Sequence, residues 1–194
     1  MRLLVTGASG FIGSHVARAA STRGDAVRCL VRPHSDRSLL RGLAVDAAIG
    51  DLTDKDSLRR STVGVEAVVH CGATTSESSP DYALSYKTNV EGTQNLIDAC
   101  VENGVGRLIL ISTQSAEEGN RSAYGATKLE AERILAASSL KYTILRPGTV
   151  YGVGARGLFA KIQGYVARLP VIPMVGDGRQ RFRPIYVGDF VRTP

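Results

Sequence analysis

Six short apolar runs recur along the chain, at residues 2–5, 27–31, 45–49, 67–70, 108–111 and 142–145, each bounded by Gly, Pro, Asp or other polar residues. Runs of that length between turn signals are the pattern of strands buried on both faces. Between them the apolar spacing lengthens to a helical period, which predicts helices near 11–23, 54–62, 81–103 and 122–138. Parallel strands need crossover helices of this length, so the alternation predicts an α/β fold, a doubly wound parallel sheet with helices on both faces. After Pro147 the alternation weakens: Gly, Pro and Arg crowd residues 148–184, with one helical stretch near 157–168. A boundary is therefore expected near residue 150, separating a sheet domain, 1–150, from a small segment, 151–194. Ligands of such sheets sit beyond the carboxyl ends of the strands, which directs attention to Gly7, Arg32, Asp51, Gly72, Thr113 and Pro147.

Composition changes this picture only in places. The chain has 194 residues, 43% hydrophobic and 22% charged, the balance of an ordinary globular protein. Its 21 glycines follow no fixed period, so they mark turns and close backbone approaches. The net charge of +6 is uneven, because residues 151–194 hold seven basic and two acidic residues. No nucleic-acid motif accompanies that basicity and Trp is absent, so nucleic acid is not an expected partner. Cys29, Cys71 and Cys100 form no C-x-x-C pair and are odd in number, which fits a reducing, cytoplasmic setting. The N-terminus reaches Gly7 too soon for a secretory signal, and no apolar run approaches the roughly 18 residues of a membrane span. His15 and His34 lack a second ligand at metal spacing, so no metal is expected.

Candidate chemistry begins directly after the first strand, with Thr6-Gly7-Ala8-Ser9-Gly10-Phe11-Ile12-Gly13. Glycines at such a turn let backbone N–H groups approach a pyrophosphate and let helix pack close to strand. The helix N-terminus adds partial positive charge. The spacing is G-x-x-G-x-x-G rather than G-x-G-x-x-G, and its place at the start of a strand–helix unit predicts a Rossmann-type dinucleotide site. The second strand ends in Arg32-Pro33-His34-Ser35, with Arg37 following and Asp25 on the wrong side. An Arg here accommodates the 2′-phosphate of NADP, whereas an acid would select NAD. NADP is therefore expected, with NAD as the alternative should Asp36 read the ribose. Asp51, in Gly50-Asp51-Leu52 after the third strand, is placed either near the adenine amino group or as a cap for the segment from Thr53.

Tyr124-Gly125-Ala126-Thr127-Lys128 carries the sharpest signal. Residues four apart share a helix face, so a phenol and an ammonium project together. The cation is expected to favour the phenolate and bring its pKa, ordinarily near 10, toward the working range of a proton carrier. Eleven residues earlier the strand ends in Ser112-Thr113, where a hydroxyl can bond a substrate oxygen.

Together these features resemble the extended short-chain dehydrogenase/reductases, the NAD-dependent epimerase/dehydratase family. The resemblance runs nearly the whole chain, through residues 6–13, Asp51-Leu52, His70-Cys71-Gly72-Ala73, Asn89-Val90-Glu91-Gly92-Thr93, Ser112-Thr113, residues 124–128, residues 145–152, Gly176-Asp177-Gly178 and Tyr186-Val187-Gly188-Asp189. It implies that Tyr124 is the acid/base, that Lys128 holds the nicotinamide ribose and tunes Tyr124, and that Thr113 orients the reacting C–O group. Ser112 or Ser115 are the alternatives for that hydroxyl, because Gln114 to Glu118 depart from the usual Ser-Thr-x-x-Val-Tyr-Gly. Gly72, Ala73 and Pro147 would line the cofactor, and Asn89 would steady the strand carrying His70 to Ala73. Relatives continue well past Gly188-Asp189-Phe190, so the chain reads as a fragment with an incomplete substrate lobe. The implied activity is hydride transfer at a carbinol or carbonyl carbon of an anionic small molecule, such as a nucleotide sugar. Arg179, Arg181 and Arg183 are candidates to grip its phosphates, or else form an uncovered strand. The competing reading is a non-catalytic NADP-binding sensor or assembly module, which has no need of Tyr124 and Lys128 as a pair. By the same resemblance, segments 81–103 and 122–138 would form a homodimer contact.

Overall fold

The computed structural model describes residues 1–75, 81–120, 122–155, 164–166 and 183–192. Six parallel strands, β1 (Arg2–Thr6), β2 (Ala26–Val31), β3 (Val45–Ile49), β4 (Ala67–His70), β5 (Arg107–Ile111) and β6 (Tyr142–Leu145), form one sheet in the order β3-β2-β1-β4-β5-β6. The helices are α1 (Phe11–Thr22), α2 (Lys55–Thr62), α3 (Tyr82–Tyr86), α4 (Gly92–Glu102) and α5 (Ala123–Ala137). Alternate residues of each inner strand feed two cores. Leu4, Leu30, Val68 and Leu108 join Leu58, Leu96, Cys100, Ala131 and Leu135 beneath α2, α4 and α5. Leu3, Val5, Val27, Cys29 and Val31 join Ala17 and Ala20 of α1 on the other face. This is the doubly wound sheet the apolar runs predict, and β1 and β4 pair at its centre, where the strand order reverses direction.

Two expectations are revised. β3 is an edge strand and not buried on both faces: Asp46 and Ala47 are exposed, and Arg28 of β2 donates to Asp46 at 2.9 Å across the rim. An apolar run reports strand propensity, while burial depends on having a neighbour on each side. The helix expected over 81–103 is interrupted by a π-helical turn, Lys87–Glu91, between α3 and α4. Buried positions around that turn include the polar Ser85, Asn89 and Thr93, so the apolar pattern does not reveal it.

Caps match the local chemistry. Asp54 accepts from the N–H groups of Asp56 and Ser57 at the start of α2, and Ser122 accepts from Gly125 N–H at the start of α5. Beyond β6, β7 (Val150–Tyr151) pairs in parallel with β8 (Ile185–Tyr186), and a short α6 (Val187–Phe190) follows. Phe190 is buried in the core formed by β1, β2 and α1. Most of the helix expected at 157–168, and Arg179, Arg181 and Gly176-Asp177-Gly178, lie outside the described residues. No described helix is long and apolar enough to cross a membrane.

Candidate active site

The glycine turn is built from backbone alone. Gly7 adopts φ 63°, and a Cβ there would lie 2.6 Å from the backbone N of Gly72 at the end of β4. A Cβ on Gly13 would lie 2.2 Å from the Gly7 carbonyl oxygen, so helix and loop touch with no room for a side chain. Gly10 N–H donates to Gly7 C=O at 2.9 Å and closes the turn, with half-buried Ser9 at its rim. Gly10 caps α1 without a side-chain acceptor. The N–H groups of Phe11, Ile12 and Gly13 thus have no protein partner among the described residues, which is the donor set of a helix-terminal anion site.

Behind this cradle runs a buried line of hydrogen bonds. Gly72 N–H can only donate, and it donates to Thr6 Oγ1 at 3.2 Å; Thr6 Oγ1 lies 2.6 Å from His70 Nδ1. At the far end the Asn89 carbonyl can only accept, and it accepts from Thr93 Oγ1 at 2.6 Å, which lies 3.0 Å from His70 Nε2. Thr93 spends its only proton on that carbonyl, so Nε2–H donates to Thr93. Burial, reinforced by the nearby Lys128 charge, pushes the ring's pKa down to about 3, so it is neutral near pH 7 and Nδ1 accepts from Thr6.

Asn89 lies in the π-helical turn, fully buried. Its Oδ1 accepts from Thr74 N–H at 2.7 Å, and its Nδ2 donates to the Thr74 carbonyl and to Thr127 Oγ1, each at 3.0 Å. It thereby joins the segment after β4, where half-buried Ala73 sits, to α5. Leu52 is buried with its Cδ1 against Gly72 and its Cβ against Gly92. Asp51 Oδ1 accepts from the backbone N–H and the hydroxyl of Thr53, closing a turn, and the cap of α2 falls to Asp54 instead.

On α5, Tyr124 is half-buried and Lys128 is only 1% exposed. Among the described residues the Lys128 ammonium has no hydrogen-bond or ion-pair partner. Burial lowers its pKa to about 8, against the raising influence of Cys71 and Glu132. The expected lowering of the Tyr124 phenol is not found: burial raises it, because the phenolate is the form that desolvation disfavours. Ser112 Oγ is buried with no partner among the described residues. Thr113 Oγ1 accepts from Ser115 N–H at 3.2 Å, which leaves its own proton free to donate. The Ser115 carbonyl packs on Gly125, where a Cβ would lie 2.5 Å away. The Pro147 carbonyl accepts from Gln114 N–H and ties the ends of β5 and β6 together. Arg32 and Arg37 are exposed at the end of β2 with no side-chain partner among the described residues, while Asp36 accepts from Ser38 N–H and Oγ.

The structure thus packs Gly7 on Gly72 and Gly13 on Gly7 at the ends of β1 and β4, ties the segment after β4 to α5 through Asn89, and brings the Lys128 charge within reach of His70 and Cys71. The donor set fits a dinucleotide: an uncapped helix N-terminus in a side-chain-free cradle, and a buried cation near the end of β4 that is unpartnered among the described residues. Burial raises the thiols of Cys29, Cys71 and Cys100 to about 11, 12 and 12, so they pack as inert apolar groups. Sequence reasoning missed the Glu132–Arg146 pair. Its signal was an acid one helical turn after Lys128 and an Arg directly before Pro147.

A parallel 3-2-1-4-5-6 sheet with a glycine turn at its switch point defines a Rossmann-type dinucleotide-binding fold. The chain belongs to the NAD dependent epimerase/dehydratase family, whose pattern it matches over residues 3–193. It is 33% identical over 208 aligned positions to a 2-alkyl-3-oxoalkanoate reductase of Stenotrophomonas maltophilia (strain K279a), covering 96% of this chain and 62% of that protein. Among solved structures, the UDP-glucose 4-epimerase of Thermotoga maritima with UDP-glucose superposes with a TM-score of 0.86 at 28% identity, covering 99% of this chain and 71% of that one. The dTDP-glucose 4,6-dehydratase DesIV of Streptomyces venezuelae, solved with NAD as a double mutant, gives 0.85 at 28% identity, covering 99% and 70%. The chain thus spans less than two thirds of the length of the curated reductase it matches.

Proposed function

We propose that the protein is an NADP-dependent oxidoreductase or epimerase acting at a carbinol or carbonyl carbon of an anionic small molecule. The observation that carries this reading is the buried Lys128 ammonium, unpartnered among the described residues and one helical turn from Tyr124. An uncompensated buried cation is costly, and a ribose placed beside it would give its protons acceptors. Arg32 and Arg37, open at the end of β2, support NADP over NAD as two bidentate donors for a 2′-phosphate. Two of the named relatives carry anions in their names, an alkanoate in one case and UDP-glucose in the other.

Gly7 to Gly13, Leu52, Gly72, Ala73 and Pro147 would hold the cofactor, with Asp51 toward its adenine. A bound nicotinamide supplies or accepts the hydride. Thr113 donates to the substrate oxygen, and Tyr124 passes the proton at its phenolic oxygen. Lys128 would hold the ribose and offset charge on Tyr124 as the proton leaves. Three free thiols suit a reducing cytoplasm. Exposed Tyr82 and Leu84 on α3 support a homodimer contact along α3 to α5.

The test is Tyr124→Phe, assayed by nicotinamide absorbance against a panel of ketones and sugar nucleotides. Turnover falls by roughly 100- to 10,000-fold while NADPH affinity stays within about threefold. Retained turnover refutes the acid/base role. Tight NADPH binding by the parent chain with no turnover on any substrate favours a non-catalytic binding module.

A further inference from the structure

One ionic pair between α5 and the end of β6 stands outside the roles assigned above. Arg146, the residue before Pro147, donates through Nε to both carboxylate oxygens of Glu132 at 2.9 and 3.1 Å and through Nη2 to Oε2 at 2.5 Å. The Glu132 side chain is 7% exposed and the Arg146 side chain 47%, so a surface guanidinium closes over a buried carboxylate. A planar fork on two oxygens fixes orientation as well as distance. Glu132 lies one helical turn beyond Lys128 on the same face of α5, and Arg146 leads directly into the Pro147 wall.

Resting on the cofactor reading above, we propose that Glu132 and Arg146 are the positioning pair of this site. They pin α5 to the end of β6, so that Tyr124, Lys128 and Pro147 keep one spacing, and they hold the Lys128 ammonium charged toward the cofactor ribose. The groups facing Lys128 are few. From β4 and its end come His70, neutral, and Cys71, whose thiol burial pushes up to about 12. From α5 come Tyr124, whose phenol burial raises, and Glu132. Arg146 lies behind Glu132, and Glu117 of the β5–α5 connection faces Arg146. Among the described residues Glu132 is therefore the one carboxylate acting on Lys128, and the guanidinium fork holds it in place.

The experiment is NADPH fluorescence titration of the 194-residue chain from about pH 6 to about pH 10. The ammonium binds and the amine does not, so parent affinity declines as pH rises through about 8. Glu132→Gln keeps shape and removes charge; its decline begins about one pH unit lower. Lys128→Met binds at least about tenfold more weakly and shows no such step. A Glu132→Gln curve that lies below the parent by the same factor at every pH overturns the proposal, since a purely structural loss has no reason to follow Lys128. Should Glu132→Gln fail to fold, Arg146→Lys, which keeps the charge and loses the fork, decides it: a step moved to lower pH supports the pair, and a parallel curve overturns it. A parent chain that binds neither NADPH nor NADH removes the cofactor reading, and this proposal with it.

Discussion

The two halves of the site are made of different materials. Around β1, α1 and the end of β4 the working surface is backbone. Glycines press against one another, and every polar group of the Thr6–His70–Thr93 line has its partner. Around β5 and α5 it is side chain, and it is electrically incomplete. Lys128 is buried without a partner among the described residues, Ser112 Oγ has none, and the Tyr124 phenol is pushed up by burial. On the proposed reading the first half can be rigid because it would only need to fit a phosphate-bearing ligand, and the second would carry instability in the free chain because its groups await one.

Substitutions that attack shape and those that attack charge should therefore behave oppositely. The largest effect is expected in the backbone half. Gly7→Ala adds a methyl group against Gly72 N at a positive φ, so overpacking and backbone strain together cost about 4 kcal/mol, and Tm falls by roughly 10 °C. Cofactor binding is lost with it. A stable, binding-competent Gly7→Ala protein would remove the claim that this half is rigid.

Lys128→Met should do the reverse, stabilising the free chain while weakening NADPH. Lys128 has a folded pKa near 8 against 10.5 for the ordinary group. Below about pH 8 it is protonated in both states, and folding bears a cost of roughly 3 kcal/mol. The cost fades as pH rises from 8 to 10.5, because the unfolded chain then binds the extra proton. Urea unfolding of both proteins across that range checks the difference curve, which isolates Lys128 from the cysteines that titrate nearby. A parent no less stable than Lys128→Met at neutral pH contradicts the contrast.

His70 supplies an intermediate effect on the acid side. Its folded pKa of about 3 lies below the ordinary 6.5, so stability falls as pH drops below 6.5 and protons bind the unfolded chain first. By about pH 5 the loss is roughly 2 kcal/mol. His70→Gln can accept from Thr6 and donate to Thr93 but takes up no proton, so its acid limb should be flatter. An unchanged limb in thermal melts would place the acid sensitivity elsewhere. The smallest effect falls on the exposed rim: Arg32→Ala should narrow a preference for NADPH over NADH by about tenfold, near 1.4 kcal/mol. Equal affinities in the parent would remove the NADP assignment.

Much of the backbone half was legible in the sequence, because it depends on local signals. Apolar runs bounded by turn residues gave all six strands to within a residue, and a glycine spacing after the first gave the cradle. The charged half was legible only as residue types. That Tyr124 and Lys128 share a helix face follows from their spacing, but the depth of their burial, and hence the sign of the phenol shift, depends on how α5 packs on the end of β4. Glu132 and Arg146 are 14 positions apart on different elements, and only the docking of α5 beside β6 makes them a pair. The π-helical turn that places Asn89 leaves no mark on the apolar period.

Phe190 gives the tail of the described chain a part in all of this. It belongs to the same buried cluster as Leu3, Val5 and Ala17, so residues near the far end of the sequence help seat the strand that bears the first loop. Whatever loosens the chain's last described turn is thus felt at a glycine loop nearly the full sequence length away. Trimming the protein to its first 150 residues would strip a wall from the room in which that loop is built.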